Sequence, residues 1–425
     1  MVFNFKLKIF NLQSFICLLF FKLALDGCYY FVISRVWDHS GFFMELNLLK
    51  LFESYVLLTL IFWGAPKAYK NISDLMIWLL ILLSYIPLLT IYAFMDQPRI
   101  YMYAVTGFWA LVFLLMKLPA VKFNFFKKKQ STAFLFAVFS LLMGLVLFLF
   151  FKYLGFSYNF DLTKVYEIRS AYVNLKIPFS GYLFNWVAYV VNPIAFALLI
   201  KKRNWFLAGL VALFQIFLFS STGLKTYLFT LPFVLILMWI IKKKNPFAWL
   251  GAGMAAVVIA GMLSYLLIGD LWTTSLFARR TLLVPAQLSF MYYDFFAQNE
   301  HIFLSQHPII PNFIKYPYDL EPPHLIAAKY FDKPEMNANN GIYADAYMNF
   351  GFIGFLFWGI ILVILFKLFD SFARGKDKFI LAAAIAMPSI VFVNSALLTC
   401  LLTHGVLLSM LMVYLLPKER IKNLL

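Results

Sequence analysis

Charge is scarce in this chain. Only 13% of its 425 residues are Asp, Glu, Lys or Arg, against roughly a quarter in an ordinary soluble domain. Cysteine is scarcer: Cys17, Cys28 and Cys400 stand alone in apolar stretches, with no C-x-x-C spacing. That excludes a disulfide framework and a thiolate metal site, and the three read as small hydrophobes. The five histidines are scattered, so no zinc motif can be built. No G-x-x-x-x-G-K-[ST] or G-x-G-x-x-G occurs, which leaves nucleotide-driven chemistry without support. No internal repeat is visible. Nothing in the sequence asks for a metal or a cofactor.

What is abundant is apolar surface. The chain is 63% hydrophobic and its mean hydropathy is +0.83. This composition excludes a soluble globular enzyme, a disordered chain and a nucleic-acid-binding domain. A bilayer core about 30 Å thick takes roughly 20 apolar residues per helix. Twelve ranges qualify: 12–33, 46–64, 72–93, 100–117, 131–151, 180–200, 205–220, 226–241, 247–268, 347–368, 379–395 and 397–416. The first carries no small-residue cleavage site and reads as an uncleaved span. The expected fold is a single all-α polytopic membrane domain over 1–425, with about twelve transmembrane helices.

The net charge of +17 belongs to topology. Lysine and arginine gather at Lys6 and Lys8, Lys67 and Lys70, Lys117 to Lys129, Lys201-Lys202-Arg203, Lys242-Lys243-Lys244, Lys367 to Lys378 and Lys418 to Lys422. Only Asp370, Asp377 and Glu419 oppose them there. Positive-inside reasoning puts both termini and these connections in the cytoplasm. The long external segments are then 152–179 and 269–346, the second too long for a mere connection and expected to hold short helices. Small residues Ala252, Ala256 and Ala260, at four-residue spacing, predict a close helix–helix contact. Gly351, Gly354 and Gly359 suggest the same.

Four constellations face outward. The first is Tyr166-Glu167-Ile168-Arg169, where Arg169 either grips an anion or is solvated at the membrane edge beside Glu167. The second is Arg279-Arg280-x4-Pro285-x6-Tyr292-Tyr293-Asp294. Two adjacent arginines form a concentrated positive site suited to a diphosphate. Arg280, Gln287 and Asp294 recur every seven residues and would share a helix face, with a kink at Pro285. Tyr292 and Tyr293 would stack on sugar rings or sit in an interfacial belt. The third is Asn337-Ala338-Asn339-Asn340-Gly341-x3-Asp345-Ala346-Tyr347-x2-Phe350-Gly351-x2-Gly354, in which Asp345 is either an N-cap or a proton acceptor. The fourth is Ser221-Thr222-Gly223-Leu224-Lys225-Thr226, a tight outer turn whose Lys225 is solvated or completes an anion site. Prolines 308, 311, 317, 322, 323 and 334 make most of 301–335 non-helical, apart from a short helix at 324–331. His324, in that stretch, is a loop hydrogen-bonder or a proton carrier.

In this order and on this face, the four motifs resemble the bacterial oligosaccharide repeat-unit polymerases, the Wzy-type O-antigen and capsule polymerases. The resemblance covers roughly 160–365 and the span count. It implies an architecture similar to lipid-linked, GT-C-like glycosyltransferases, in the bacterial cytoplasmic (inner) membrane with the active face outward. The implied reaction joins repeat units carried on undecaprenyl diphosphate, without nucleotide sugar, metal or cofactor. The implied partners are that lipid-linked oligosaccharide, the membrane lipid and a chain-length regulator protein. The family's external-loop arginines map onto Arg169 and onto Arg279 and Arg280, with Lys225 where the family often has arginine. Spacing also departs, as Arg169-x11-Gly181. On this reading Arg169, Arg279, Arg280 and Lys225 hold the diphosphate. Tyr292, Tyr293, Asn340 and Tyr347 hold glycan. Asp345, Glu167, Asp294 and His324 are the proton-acceptor candidates.

Two other functions compete. An O-antigen ligase would share the donor and use another acceptor. A repeat-unit flippase would need ionisable groups within spans, for which Lys22, Asp26, Glu53 and Asp74 are available.

Overall fold

The computed structural model describes residues 11–119, 132–153, 169, 172, 175, 177–307 and 314–419. Every expected range but the last coincides with one helix. The helices are α1 (Leu12–Val36), α2 (Leu48–Gly64), α3 (Ile72–Phe94), α4 (Arg99–Met116), α5 (Thr132–Tyr153) and α6 (Ser180–Lys201). They continue as α7 (Trp205–Thr222), α8 (Lys225–Ile240), α9 (Pro246–Ile268), α10 (Val284–Gln298) and α11 (Pro322–Phe331). The last are α12 (Ile342–Ala373), α13 (Lys378–Asn394), α14 (Leu397–Leu401) and α15 (Val406–Leu415). Among the described residues nine helical runs are long and apolar enough to cross a membrane, with Leu397–Leu415 taken as one run, and α8 and α13 are shorter apolar ones. The protein is an all-α polytopic membrane protein. The expected span at 397–416 is interrupted: a turn at 402–405, with Gly405 at φ +78°, separates α14 from α15.

Helix starts follow from short polar side chains. Asn11, Asn204 and Asn245 accept backbone N–H groups at the starts of α1, α7 and α9, and Asp377 does so for α13. Asp74, in the first turn of α3, accepts from Lys70 N and Asn71 N. Prolines inside the bundle are met by wide turns. Pro87, Pro193 and Pro285 each sit two residues after a π-helical stretch, at Ile81–Tyr85, Val187–Val191 and Thr274–Leu283. A proline ring pushes away the carbonyl one turn earlier, and the wide turn makes room for it.

Three sequence expectations change here. Part of the 269–346 segment is not a loop: Thr274–Leu283 and α10 form one helical run whose Gln287, Ser289, Phe290 and Tyr292 are buried in the body. The helix-packing face of α9 is Gly251, Ala255, Val258 and Gly261, with Gly251 against the backbone of Cys17. Ala256 and Ala260 face out of the bundle, because α1 packs one residue away from the alanine stripe. Arg280, Gln287 and Asp294 do not share an environment. Arg280 and Asp294 are exposed and Gln287 is buried, since the π-helical turns carrying Arg280 do not keep the α-helical period.

Two clusters of ionisable groups on the N-terminal helices are paired. Lys22 Nζ bonds both oxygens of Asp26 at 2.5 Å, and Tyr55 and Thr90 donate to the same carboxylate at 2.8 and 2.7 Å. Glu53 pairs with Arg99 at 3.0 Å. These contacts bind α1, α2, α3 and α4 to one another.

Candidate active site

The two ends of the bundle differ in charge. Asn11 reaches the Lys67 carbonyl and Asn245, and Lys367 donates to the Leu118 carbonyl. Lys201 bonds Asp377 and Glu419, and Lys376 bonds the Val413 and Tyr414 carbonyls. The described basic connections therefore lie together at one end. The opposite end carries the 37–47 connection, the 95–98 turn, the Lys225 turn and the segment between α9 and α12.

A cleft of about 750 Å³ opens at that second end. One wall is the connection after α1. Trp37 and Phe42 are buried, and the Arg279 guanidinium lies 5.1 and 5.8 Å from their rings. Gln287 donates to the Gly41 carbonyl at 2.8 Å. Gly41 has φ +84°, and a Cβ there would stand 2.9 Å from Gln287 Nε2, so the turn requires glycine. Between these anchors a 3-10 turn, Asp38–Ser40, presents an exposed His39 to the cleft. The other wall is the C-terminal half of α11 and the turn after it, with Lys329, Asp332 and Lys333. Asp332, at φ +54°, ends the helix. Tyr330 donates to Asp294 at 2.6 Å, and Tyr292 donates to the Ala338 carbonyl at 2.8 Å, fixing this wall to α10. Burial and the Asp294 carboxylate push the Tyr330 phenol well up, so it stays a neutral donor. Among the charged side chains lining the cleft, Arg279, Lys329 and Lys333 face one carboxylate, Asp332. A second cavity, between α3, α10, α12 and α13, holds about 10 Å³, room for no more than one water.

The sequence-predicted residues are dispersed. Arg279 lines the cleft, whereas Arg280 is exposed beside it and does not line it. Lys225 begins α8, half-buried, next to Thr226, whose hydroxyl meets Tyr189 at 2.8 Å. Arg169 is exposed and within electrostatic reach of Tyr189, so Arg169 and Lys225 share a neighbourhood apart from the cleft. Glu167 lies outside the described residues. Asp294 ties α10 to α11 through Tyr330, and His324 Nδ1 meets the Pro334 carbonyl at 2.7 Å. Tyr292, Asn340 and Tyr347 are buried, and Tyr293 is half-buried. Tyr293 and Tyr347 pack on Tyr101, with Tyr293 4.7 Å and Tyr347 5.9 Å from it, centroid to centroid. The expected glycan platform is packed core, because α10 enters the body instead of lying over it.

Asp345 is buried, and both its oxygens are filled. Oδ1 accepts from Asn340 Nδ2 at 3.4 Å and Asn349 Nδ2 at 3.1 Å. Oδ2 accepts from Trp358 Nε1 at 2.8 Å and Leu397 N at 2.7 Å. A carboxylate offers about four lone-pair sites, and all four are taken. The reading of Asp345 as cap is the one this geometry matches, although it caps α14, not its own helix. The helix that carries it breaks at Phe350 and Gly351, the latter at φ +58° and ψ −143°. The freed Met348 and Asn349 carbonyls accept from Ile302 N at 3.0 Å and Phe303 N at 3.3 Å. The short first half folds back on the second: Asp345 meets Trp358, and a Cβ on Gly354 would stand 1.9 Å from the Ala346 carbonyl.

Sequence reasoning missed His39, Lys329, Asp332 and Lys333. The lysines carried a signal, being basic residues four apart in a segment on the side where positive charge is otherwise thin. His39 carried none, as it stands in a short connection. Among the described residues no group of three His, Cys, Asp or Glu side chains is placed to hold a metal ion. No protein-family model, no curated protein and no solved structure matches the chain.

Proposed function

We propose that this protein is a membrane glycosyltransferase that polymerises oligosaccharide repeat units carried on undecaprenyl diphosphate. The growing chain leaves its lipid carrier and joins the incoming lipid-linked unit, building an O-antigen or capsule polysaccharide. One observation carries the reading: Arg279, Lys329 and Lys333 line one cleft at the end of the bundle away from the basic connections. By the positive-inside rule that end faces away from the cytoplasm, with both termini cytoplasmic, in the bacterial inner membrane. ATP and nucleotide sugars are absent on that side, so the substrate must arrive already activated. A lipid diphosphate is such a leaving group. Cations fixed beside it stabilise the charge that develops as the glycosidic bond breaks. Holding donor and acceptor in one cleft supplies further rate through orientation. A chain-length regulator protein would act on the same outer face. An O-antigen ligase would use the same cleft with a different acceptor. The buried Lys22–Asp26 pair is the observation that favours a repeat-unit flippase instead.

The test is a clean deletion in the native host, followed by analysis of surface and lipid-linked glycans. Loss of the length ladder, with single units still reaching the surface, supports the polymerase. Full-length polymer stranded on the carrier means a ligase. Single units trapped on the cytoplasmic face mean a flippase.

A further inference from the structure

The geometry points to His39 as the proton acceptor of the cleft, an assignment that rests on the polymerase reading. Glycosyl transfer needs a group that takes the proton of the attacking sugar hydroxyl. Among the sequence candidates, Asp345 is buried with every lone pair used, Asp294 is engaged by Tyr330, and His324 is held by the Pro334 carbonyl. None of these three lines the cleft.

Two cleft-lining side chains can accept a proton from a hydroxyl, His39 and Asp332. Asp332 shares one wall with Lys329 and Lys333, in the turn that ends α11. That wall carries both lysines of the cleft and so suits the diphosphate, not the attacking hydroxyl. An imidazole nitrogen can accept a proton from a hydroxyl and hand it back. His39 also stands on a built platform. Trp37 and Phe42 bury on either side of it, Arg279 lies over both rings, and Gln287 fixes the Gly41 carbonyl. A turn held this firmly at both ends, with an exposed tip that lines the cleft, places His39 at the cleft. The groups that face it are Arg279 from the π-helical run and Lys329, Asp332 and Lys333 from the α11 wall, with Asp38 before it on its own turn.

The step balances as follows. The acceptor hydroxyl loses its proton to His39, and its oxygen bonds the anomeric carbon of the lipid-linked chain. The bond from that carbon to the diphosphate breaks, and undecaprenyl diphosphate departs with the electron pair near Arg279. His39 then returns the proton to solvent. Gln287 and Gly41 are positioning residues.

The experiment reconstitutes the full chain in liposomes with an undecaprenyl-diphosphate-linked repeat unit and follows elongation from pH 5 to 9. His39→Gln should lower kcat about a hundredfold or more, with KM nearly unchanged, and should remove the fall of rate on the acid side. Imidazole added to His39→Ala should restore part of the rate. Gln287→Leu should lower kcat less and keep the acid limb. The assignment is overturned if His39→Gln elongates like wild type, or if Asp332→Asn alone removes the acid limb. If wild type does not elongate at all, the polymerase reading fails, and the assignment falls with it.

Discussion

Asp345 and Leu397 stand 52 residues apart in the chain, yet Asp345 Oδ2 accepts the Leu397 backbone N–H at 2.7 Å. This bond joins the folded-back start of α12 to the first turn of α14. It makes Asp345 a structural carboxylate. Asp345→Ala leaves Trp358 Nε1 and Leu397 N without their acceptor, while Asn349 keeps the backbone carbonyl of residue 345. Each buried donor left unmade costs about 1–3 kcal/mol. Thermal unfolding in detergent should show Asp345→Ala strongly destabilised, and activity should fall in step with folded protein. A fully stable but inactive Asp345→Asn would return the residue to the catalytic candidates.

The break in α12 depends on two glycines. Gly351 holds a positive φ with an extended ψ, which other residues avoid at a cost of roughly 1–3 kcal/mol. Gly354 lets the Ala346 carbonyl approach where a Cβ would stand. Gly351→Ala and Gly354→Ala should each lower the melting temperature, whereas Gly359→Ala, which meets only the side chains of Phe108 and Leu111, should do so less. A ranking in which Gly359→Ala is the most damaging would contradict the folded-back geometry.

Lys329 and Lys333 belong to the cleft and not to the core. Lys329→Ala and Lys333→Ala should leave unfolding unchanged within about 0.5 kcal/mol. The double variant should shorten or abolish the polymer in a complemented deletion strain. Full-length polymer from the double variant would remove these lysines from the site.

One lysine at the other end sets a pH dependence of stability. Lys376 is buried under the end of α15, donating to the Val413 and Tyr414 carbonyls. Burial, and then the charge of Lys418, bring its amine down to about 7. In the unfolded chain it stays protonated up to about 10.4. Between these values the unfolded state holds the extra proton, so this residue makes stability rise with pH across that window. The melting temperature of wild type should therefore climb from pH 7 to 9 relative to that of Lys376→Met. Parallel curves would refute the burial of this amine.

The two ends should label from opposite sides. A cysteine at Lys244 should react with an impermeant maleimide only in inverted vesicles, and one at Glu335 only in intact cells or spheroplasts. Labelling of both from one side would place the cleft and the basic connections on the same face.

Helix positions were legible because a bilayer demands long apolar runs, and their starts because Asn11, Asn204, Asn245 and Asp377 are ordinary caps. The site was legible only in part. Arg279 stood out as charge on the sparse side. Tyr292 and Tyr347 misled, since an aromatic pair reads alike in an interfacial belt, a sugar platform and a core. What decides is that α10 packs into the body, and no local pattern records its neighbours. Asp345 misled for a related reason: its strongest donors, Trp358 and Leu397, come from across a helix break and from another helix. The alanine stripe on α9 was off by one residue from the face that meets Cys17, a register that only the partner helix fixes.

The most direct measurement gives the reconstituted protein a labelled undecaprenyl-diphosphate-linked repeat unit and separates the products by length. The account predicts a ladder of longer glycans still joined to the lipid, lost with Arg279→Ala in folded protein. Units that only cross the bilayer without elongating, or a ladder indifferent to Arg279, would contradict it.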